Sequence, residues 1–226
     1  MITSRDNEKL KLIRKLHERR WRDKLGLFFV EGEDAVEAAA FRGVEPVELL
    51  VAGENVEPKL LAAVSTAAHP PRIIGVYRRQ DLPPAVALPV RIALWRVSDP
   101  GNLGTIVRTL DAFRGSLYLS DGCADPTGPK AVRASAGAVF RVPIGRFEDA
   151  PQPRVILVSD PDVTEVRQGP MREVTYVLGS EREGVPREVW QPTDGFWHIP
   201  MESHAESLNV AVAAAIALYE WRRQNP

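Results

Sequence analysis

Arg91-Ile-Ala-Leu-Trp-Arg-Val-Ser-Asp-Pro-Gly-Asn-Leu-Gly-Thr-Ile-Val-Arg-Thr-Leu-Asp-Ala-Phe113 passes from a short apolar run, through a Pro-Gly turn, into residues with helical spacing. It reads as strand, loop and helix, with Arg91–Trp95 extended and Asn102–Phe113 helical, closed by Gly115. Further short strands follow at Leu117–Leu119, Val155–Val158, Thr175–Leu178 and Phe196–Ile199, with a helix at Lys130–Ala138. These strands lack polar alternation, which points to a largely parallel sheet buried on both faces. The chain closes with an Ala-rich helix from Ser207 to about Arg223, with Leu208, Val212, Ala215 and Tyr219 along one face. The fold class is α/β.

Upstream, residues 81–89 contain Pro83, Pro84 and Pro89 and read as a linker that continues neither helix nor sheet. It separates a small α/β unit, residues 1–80, from the larger unit, residues 90–226. In the small unit Asp6–Lys24 reads as one helix, with Leu10, Ile13 and Leu16 near helical spacing. Lys9, Lys11, Arg14, Lys15, Arg19, Arg20, Arg22 and Lys24 cover much of the rest of its surface. Strands are expected at Leu27–Glu31, Val47–Ala52 and Arg72–Tyr77, and helices at Glu33–Arg42 and Pro58–Ala68.

The net charge of −1 hides an asymmetry: residues 1–26 hold nine Lys/Arg against four Asp/Glu, and the remainder 20 against 26. The basic end suggests a nucleic-acid partner, although charge alone fits a solvated basic helix equally well. The one cysteine, Cys123, excludes an internal disulfide. No apolar run approaches the roughly 18 to 20 residues of a membrane helix, and no secretory signal is visible. The expectation is a cytoplasmic protein without a membrane partner.

Three segments carry chemistry. Ser98-Asp-Pro-Gly-Asn-Leu-Gly-Thr-Ile-Val-Arg108 lies where open α/β sheets place their ligands, with Asn102 as a helix cap and Arg108 under two turns along. By itself it also fits an ordinary capped helix with a surface arginine. Val177-Leu-Gly-Ser-Glu-Arg-Glu-Gly-Val-Pro186 ends a strand in a glycine-bracketed loop bearing Glu181 and Glu183. Glycine there lets a ligand approach the backbone. The loop is neither a dinucleotide fingerprint nor a phosphate loop. Ile199-Pro-Met-Glu-Ser-His-Ala-Glu-Ser-Leu-Asn-Val210 joins a strand to the last helix, with Ser207 placed to cap it. His204 has no second ligand nearby, and no metal site is expected.

Together, in this order, the three segments resemble the signatures of the SpoU (TrmH-type) RNA 2′-O-ribose methyltransferases of the SPOUT superfamily. The matching blocks are Asn-x-Gly-x-x-x-Arg, Leu-Gly-Ser-Glu-x-x-Gly and Ile-Pro-Met…Ser-Leu-Asn-Val, with Lys130-Ala-Val-Arg-Ala-Ser-Ala-Gly137 between the first two. Ser4, Asn7, the basic helix and Phe29-Val-Glu-Gly32 resemble the family's L30e-like RNA-binding domain, so the likeness spans nearly the whole chain. The chain departs where Ser203-His204 stands in place of the family's usual glycine, and at Ala211, where many members have serine.

The resemblance implies a C-terminal deep trefoil knot and a homodimer with the active site near the subunit interface. It implies S-adenosylmethionine as cofactor, held around Leu178, Gly179, Ile199, Met201 and Leu208. It assigns catalysis to Arg108, with Asn102, Glu181, Ser207 and Asn209 orienting it and the ribose. Lys9, Lys11, Arg14, Lys15, Arg19 and Arg20 would contact RNA phosphates. An L30e-like domain before the knot goes more often with ribosomal than with transfer RNA, so large-subunit ribosomal RNA is the expected substrate. The alternatives are a transfer-RNA 2′-O-methyltransferase and an inactive RNA-binding member.

Overall fold

Asn7 opens the first helix: its side chain accepts from the Lys9 amide, and Leu10, Ile13 and Leu16 bury the inner face completely. The computed structural model describes residues 1–158, 171–180, 183–191, 195–202 and 207–226. The continuous helix expected over Asp6–Lys24 is instead two, α1 (Glu8–Leu16) and α2 (Arg19–Leu25), broken where Glu18 turns extended. Arg22 explains the break. It is buried, and its Nη1 donates to the Leu16 and His17 carbonyls at 2.8 and 2.9 Å, satisfying the free end of α1.

The small sheet is antiparallel, in the order β1 (Leu27–Glu31), β3 (Ile73–Arg78), β2 (Glu48–Val51). Helices α3 (Glu33–Phe41) and α4 (Pro58–Ala62) complete this half, and α4 is shorter than the Pro58–Ala68 expected. One sheet face, with Phe29, Leu50, Ile74 and Val76, packs on α1 and α4. The other face presents Phe28, Val30 and Tyr77 to α3 and to Val132, Val139 and Phe140 of the second half. Those last three are 1–2% exposed. Burying each is worth roughly 1.5–3 kcal/mol, so the halves are packed together and not merely tethered by the proline-rich connection.

Polar contacts cross the same junction. Glu31 accepts from Ser65 Oγ at 2.6 Å, from the Thr66 amide at 2.9 Å and from Arg133 at 3.1 Å. Asp125 accepts from Arg22 Nε and Nη2 at 2.9 and 2.8 Å and from Arg79 Nη2 at 2.8 Å. Burial pushes the Asp125 carboxyl up, but the Thr127 hydroxyl and the two guanidinium groups outweigh it and hold it below the usual carboxylate range.

Among the described residues the second half holds a six-stranded parallel sheet in the order β6 (Ile144–Arg146), β5 (Ser116–Leu119), β4 (Val90–Trp95), β8 (Val174–Gly179), β7 (Arg154–Leu157), β9 (Gly195–Trp197). The parallel α/β expectation holds, with β6 an added edge strand. Helices α5 (Pro100–Phe113), α6 (Pro129–Ser135) and α7 (Val210–Gln224) accompany it, and residues of α5, α6 and α7 share one core with Val90, Ile92 and Leu94. Ala93, Val177 and Ile156 face a second cluster with Trp95, Phe147, Trp190 and Phe196, which buries the strands without an alternating polar face.

Glycine sets the closest contacts. A Cβ on Gly104 would lie 2.3 Å from the Ala131 carbonyl, so only glycine lets α5 and α6 cross this tightly. The expected glycine stop at Gly115 is corrected: Arg114 takes the left-handed cap at φ 54°, while Gly115 packs where a Cβ would meet Leu110 and the Val90 carbonyl. No described helix is long and apolar enough to cross a membrane.

Candidate active site

Because the six strands are parallel, their C-terminal ends share one edge. From β4 the chain moves outward through β5 to β6, then returns to build β7, β8 and β9 on the other side. The order therefore reverses between β4 and β8, where Trp95 pairs with Gly179. A crevice at such a reversal is the standard ligand position in open α/β sheets. The segments leaving β4, β8 and β9 there are the three singled out in the sequence.

At the first, Asp99 and not Asn102 caps α5, accepting from the Asn102 amide at 2.8 Å. That amide bond, followed by the Lys130 ammonium at 3.2 Å, holds the Asp99 carboxyl below the usual range. The Asn102 side chain instead reaches across to α7, its Oδ1 accepting from Asn209 Nδ2 at 3.0 Å. Asn209 in turn caps α7, its Oδ1 accepting from the Ala211 amide at 2.9 Å. Ser207, expected as this cap, lies two residues before it and is exposed. One asparagine pair thus ties the first segment to the third, 107 residues apart in sequence.

Arg108 stands on the exposed face of α5, and its side chain makes no hydrogen bond or ion pair among the described residues. The structure does not join it to Asn102, Ser207 or Asn209. Glu181 falls outside the described residues, as do Ser203 and His204.

In the second segment Leu178 is buried and Gly179 is the last residue of β8. A Cβ on Gly179 would sit 1.9 Å from the Gly184 carbonyl group. The loop folds back over it, with the Gly184 amide donating to the Ser180 carbonyl at 2.9 Å and the Glu183 amide to Ser180 Oγ at 3.3 Å. Gly184 itself has φ +61°, a conformation L side chains rarely adopt.

In the third, Ile199 and Met201 are half-buried and Leu208 is exposed. The peptide groups of Ile199, Met201 and Leu208 make no hydrogen bond among the described residues. At half-buried and exposed positions such as these, peptide groups remain open to solvent or to a ligand. Together with the glycine-tight turn after β8, they fit a ligand held by backbone groups, as the cofactor expectation requires. Among the described residues no cluster of His, Cys, Asp or Glu could hold a metal.

Most of the cations expected on RNA are engaged within the protein. Lys9 pairs with Glu48 at 2.6 Å, Lys11 with Glu8 at 2.9 Å, Arg19 with Asp23 at 3.7 Å and Arg20 with Glu18 at 2.7 Å. Arg14 donates to the Arg5 carbonyl, and Lys15 lies 5.4 Å from the Trp21 ring centre. The residues missed in the sequence are Asp125 and Arg79. The pairing of Asp125 with both Arg22 and Arg79 spans the two halves, and no local spacing announces it.

A groove of about 460 Å³ opens between α5 and α7 beside the asparagine pair, lined by Asn102, Thr105, Asn209, Val212, Ile216 and Tyr219 among others. Val212 and Tyr219, expected on one face of the last helix, are 47% and 63% exposed there.

Residues 89–219 match the SpoU rRNA Methylase family and residues 7–78 the MRM3-like substrate binding domain. The chain is 33% identical to the 23S rRNA (guanosine(2553)-2′-O)-methyltransferase RlmP of Bacillus subtilis, over 98% of each chain. It resembles the AdoMet-bound rRNA methyltransferase from Sinorhizobium meliloti with a TM-score of 0.85 at 27% identity, covering 98% of this chain and 97% of that one. The SpoU methyltransferase AviRb from Streptomyces viridochromogenes, in complex with AdoMet, gives 0.81 at 25% identity over 97% and 98% of the two chains.

Proposed function

The chain belongs to the SpoU rRNA methylase family and is an S-adenosylmethionine-dependent RNA 2′-O-methyltransferase; we propose that its substrate is a ribose of large-subunit ribosomal RNA. The observation that carries the substrate is the full-length likeness to the Bacillus subtilis 23S enzyme, which includes the N-terminal half. In this reading residues 1–80 bind RNA, 81–89 connect, and 90–226 carry the transfer. A ribosomal RNA substrate goes with a cytoplasmic location.

When bound, the cofactor supplies an electrophilic methyl group on a sulfonium. The protein must place a ribose 2′-oxygen in line with it and ease loss of the hydroxyl proton. Leu178, Gly179, Ile199, Met201 and Leu208 hold the cofactor through their peptide groups. Arg108 is the catalytic residue. A guanidinium stays protonated in proteins, so its part is to grip the neighbouring phosphate or stabilise the developing 2′-oxyanion. Exposure and the lack of an internal partner among the described residues leave Arg108 available to the RNA. Asn102 and Asn209, bonded to each other, orient Arg108 and the ribose together with Ser207 and Glu181.

The protein acts as a homodimer, with the α5–α7 groove as the subunit contact. Exposed Val212 and Tyr219 beside Ile216 support this, since covering them would shield the asparagine pair. In this reading the half from residue 90 onward carries a C-terminal deep trefoil knot, as in the family it belongs to. The substrate is tested by methyl transfer from labelled cofactor to ribosomal and transfer RNA pools. Label in the large ribosomal RNA, at one linkage resistant to alkali, is the expected result. Label confined to transfer RNA, or none in either pool, overturns the substrate assignment.

A further inference from the structure

Trp21 lies on α2 with three cations around its ring: Lys24 Nζ at 5.2 Å, Lys15 Nζ at 5.4 Å and the Arg20 guanidinium carbon at 5.7 Å from its centre. Only Arg20 has a carboxylate partner among the described residues, the exposed Glu18, and so exposed a pair adds little. Lys15 and Lys24 make no ion pair among the described residues. Three positive charges thus gather at one half-buried ring, and of them only that of Arg20 has a carboxylate partner among the described residues. The Trp21 indole N–H likewise makes no hydrogen bond among the described residues and is not sealed from solvent.

The patch has a defined place. Arg22, the next residue, anchors α2 to Asp125, and Arg19 reaches the Cys123 carbonyl at 3.5 Å. Asp125 and Cys123 lie in the segment that leaves β5, and Leu119 of β5 pairs with Leu94 of β4. So α2 is fixed to the same sheet edge as the candidate active site, by a buried ion pair and not by a flexible tether.

We propose that Trp21, Lys15, Arg20 and Lys24 form a docking point for an unpaired nucleotide of the RNA substrate, the base on the indole and the flanking phosphates on the cations. The proposal rests on the RNA reading above and moves the RNA contact of the N-terminal half from the whole basic helix to one end of it. Aromatic stacking suits unpaired bases, because in a duplex the base faces are covered. Lysine ammonium groups meet phosphates as point charges and need no fixed fork geometry.

The test uses the full chain and protein-free large ribosomal RNA, with binding measured across a salt series. Trp21→Ala should weaken binding roughly tenfold, and Trp21→Phe should keep most of the affinity. The double variant Lys15→Gln/Lys24→Gln, exposed at both positions, should flatten the slope of log affinity against log salt by about 1.4. Unchanged cofactor affinity in each variant reports an intact fold. Wild-type affinity and salt slope in both Trp21→Ala and the lysine variant overturn the docking point and leave the RNA reading standing. Failure of the unmodified chain to bind RNA overturns both.

Discussion

The basic helices α1 and α2 and the described residues of the third segment, around Ile199, Met201 and Leu208, treat their polar groups in opposite ways. In the helices, part of the surplus of cations is engaged internally: Lys9, Lys11 and Arg19 have carboxylate partners and Arg22 is buried against Asp125, while Lys15, Arg20 and Lys24 gather at Trp21. At Ile199, Met201 and Leu208, where no cation stands, peptide groups have no partner among the described residues. A charge count therefore overstates what the first region offers a ligand, and hydropathy understates what the second offers. Availability is decided by what each group already touches.

The sharpest break in that comparison comes at Asp125. Asp125→Ala leaves Arg22 and Arg79 without their shared carboxylate, and should cost about 3–5 kcal/mol, read as a fall in denaturant midpoint. Its pH dependence has a definite sign. The carboxyl is depressed in the folded state, so its contribution is present above the unfolded value of about 3.9 and is lost as pH falls through the folded value. Acid titration of the wild type and of Asp125→Asn should diverge above that range and converge below it.

Gly104→Ala is next. Its Cβ would press on the Ala131 carbonyl, and overpacking of this kind costs about 1–3 kcal/mol, measurable by thermal unfolding. Asn209→Ala removes the α7 cap and should cost about 1 kcal/mol, whereas Ser207→Ala should leave stability unchanged. Asn209→Asp keeps the cap but loses the donor to Asn102, so lost methyl transfer at near-normal stability would isolate the pair's role. The smallest effect should be at Lys11→Gln: with Glu8 already on its ammonium, RNA affinity should change by less than about twofold.

These sites also show what the sequence could disclose. Strands β4, β5, β7, β8 and β9 are apolar runs, and their parallel pairing follows from the lack of alternation. Strand β6, Ile144-Gly-Arg146, is three residues around a glycine and carries no such run. Asp6–Lys24 keeps helical spacing throughout, and the break at Glu18 depends on Arg22 reaching back to the end of α1 and across to Asp125. Ser207 and Asn209 are equally good caps by residue type. What favours Asn209 is its bond to Asn102, a contact visible only once α5 and α7 lie side by side. The three blocks that mark the site were legible because their chemistry is local. Cutting the chain at residue 80 is a poor test of the two halves, because it would bare Val132, Val139 and Phe140.

The central claim is that the edge between β4 and β8 transfers methyl groups to RNA with Arg108 as its catalytic residue. Arg108→Ala tests it most directly, with cofactor affinity and methyl transfer to large ribosomal RNA measured on the same preparation. Transfer should fall at least about a hundredfold, as for loss of one transition-state donor, with cofactor affinity unchanged. Near-normal transfer in that variant would contradict the claim.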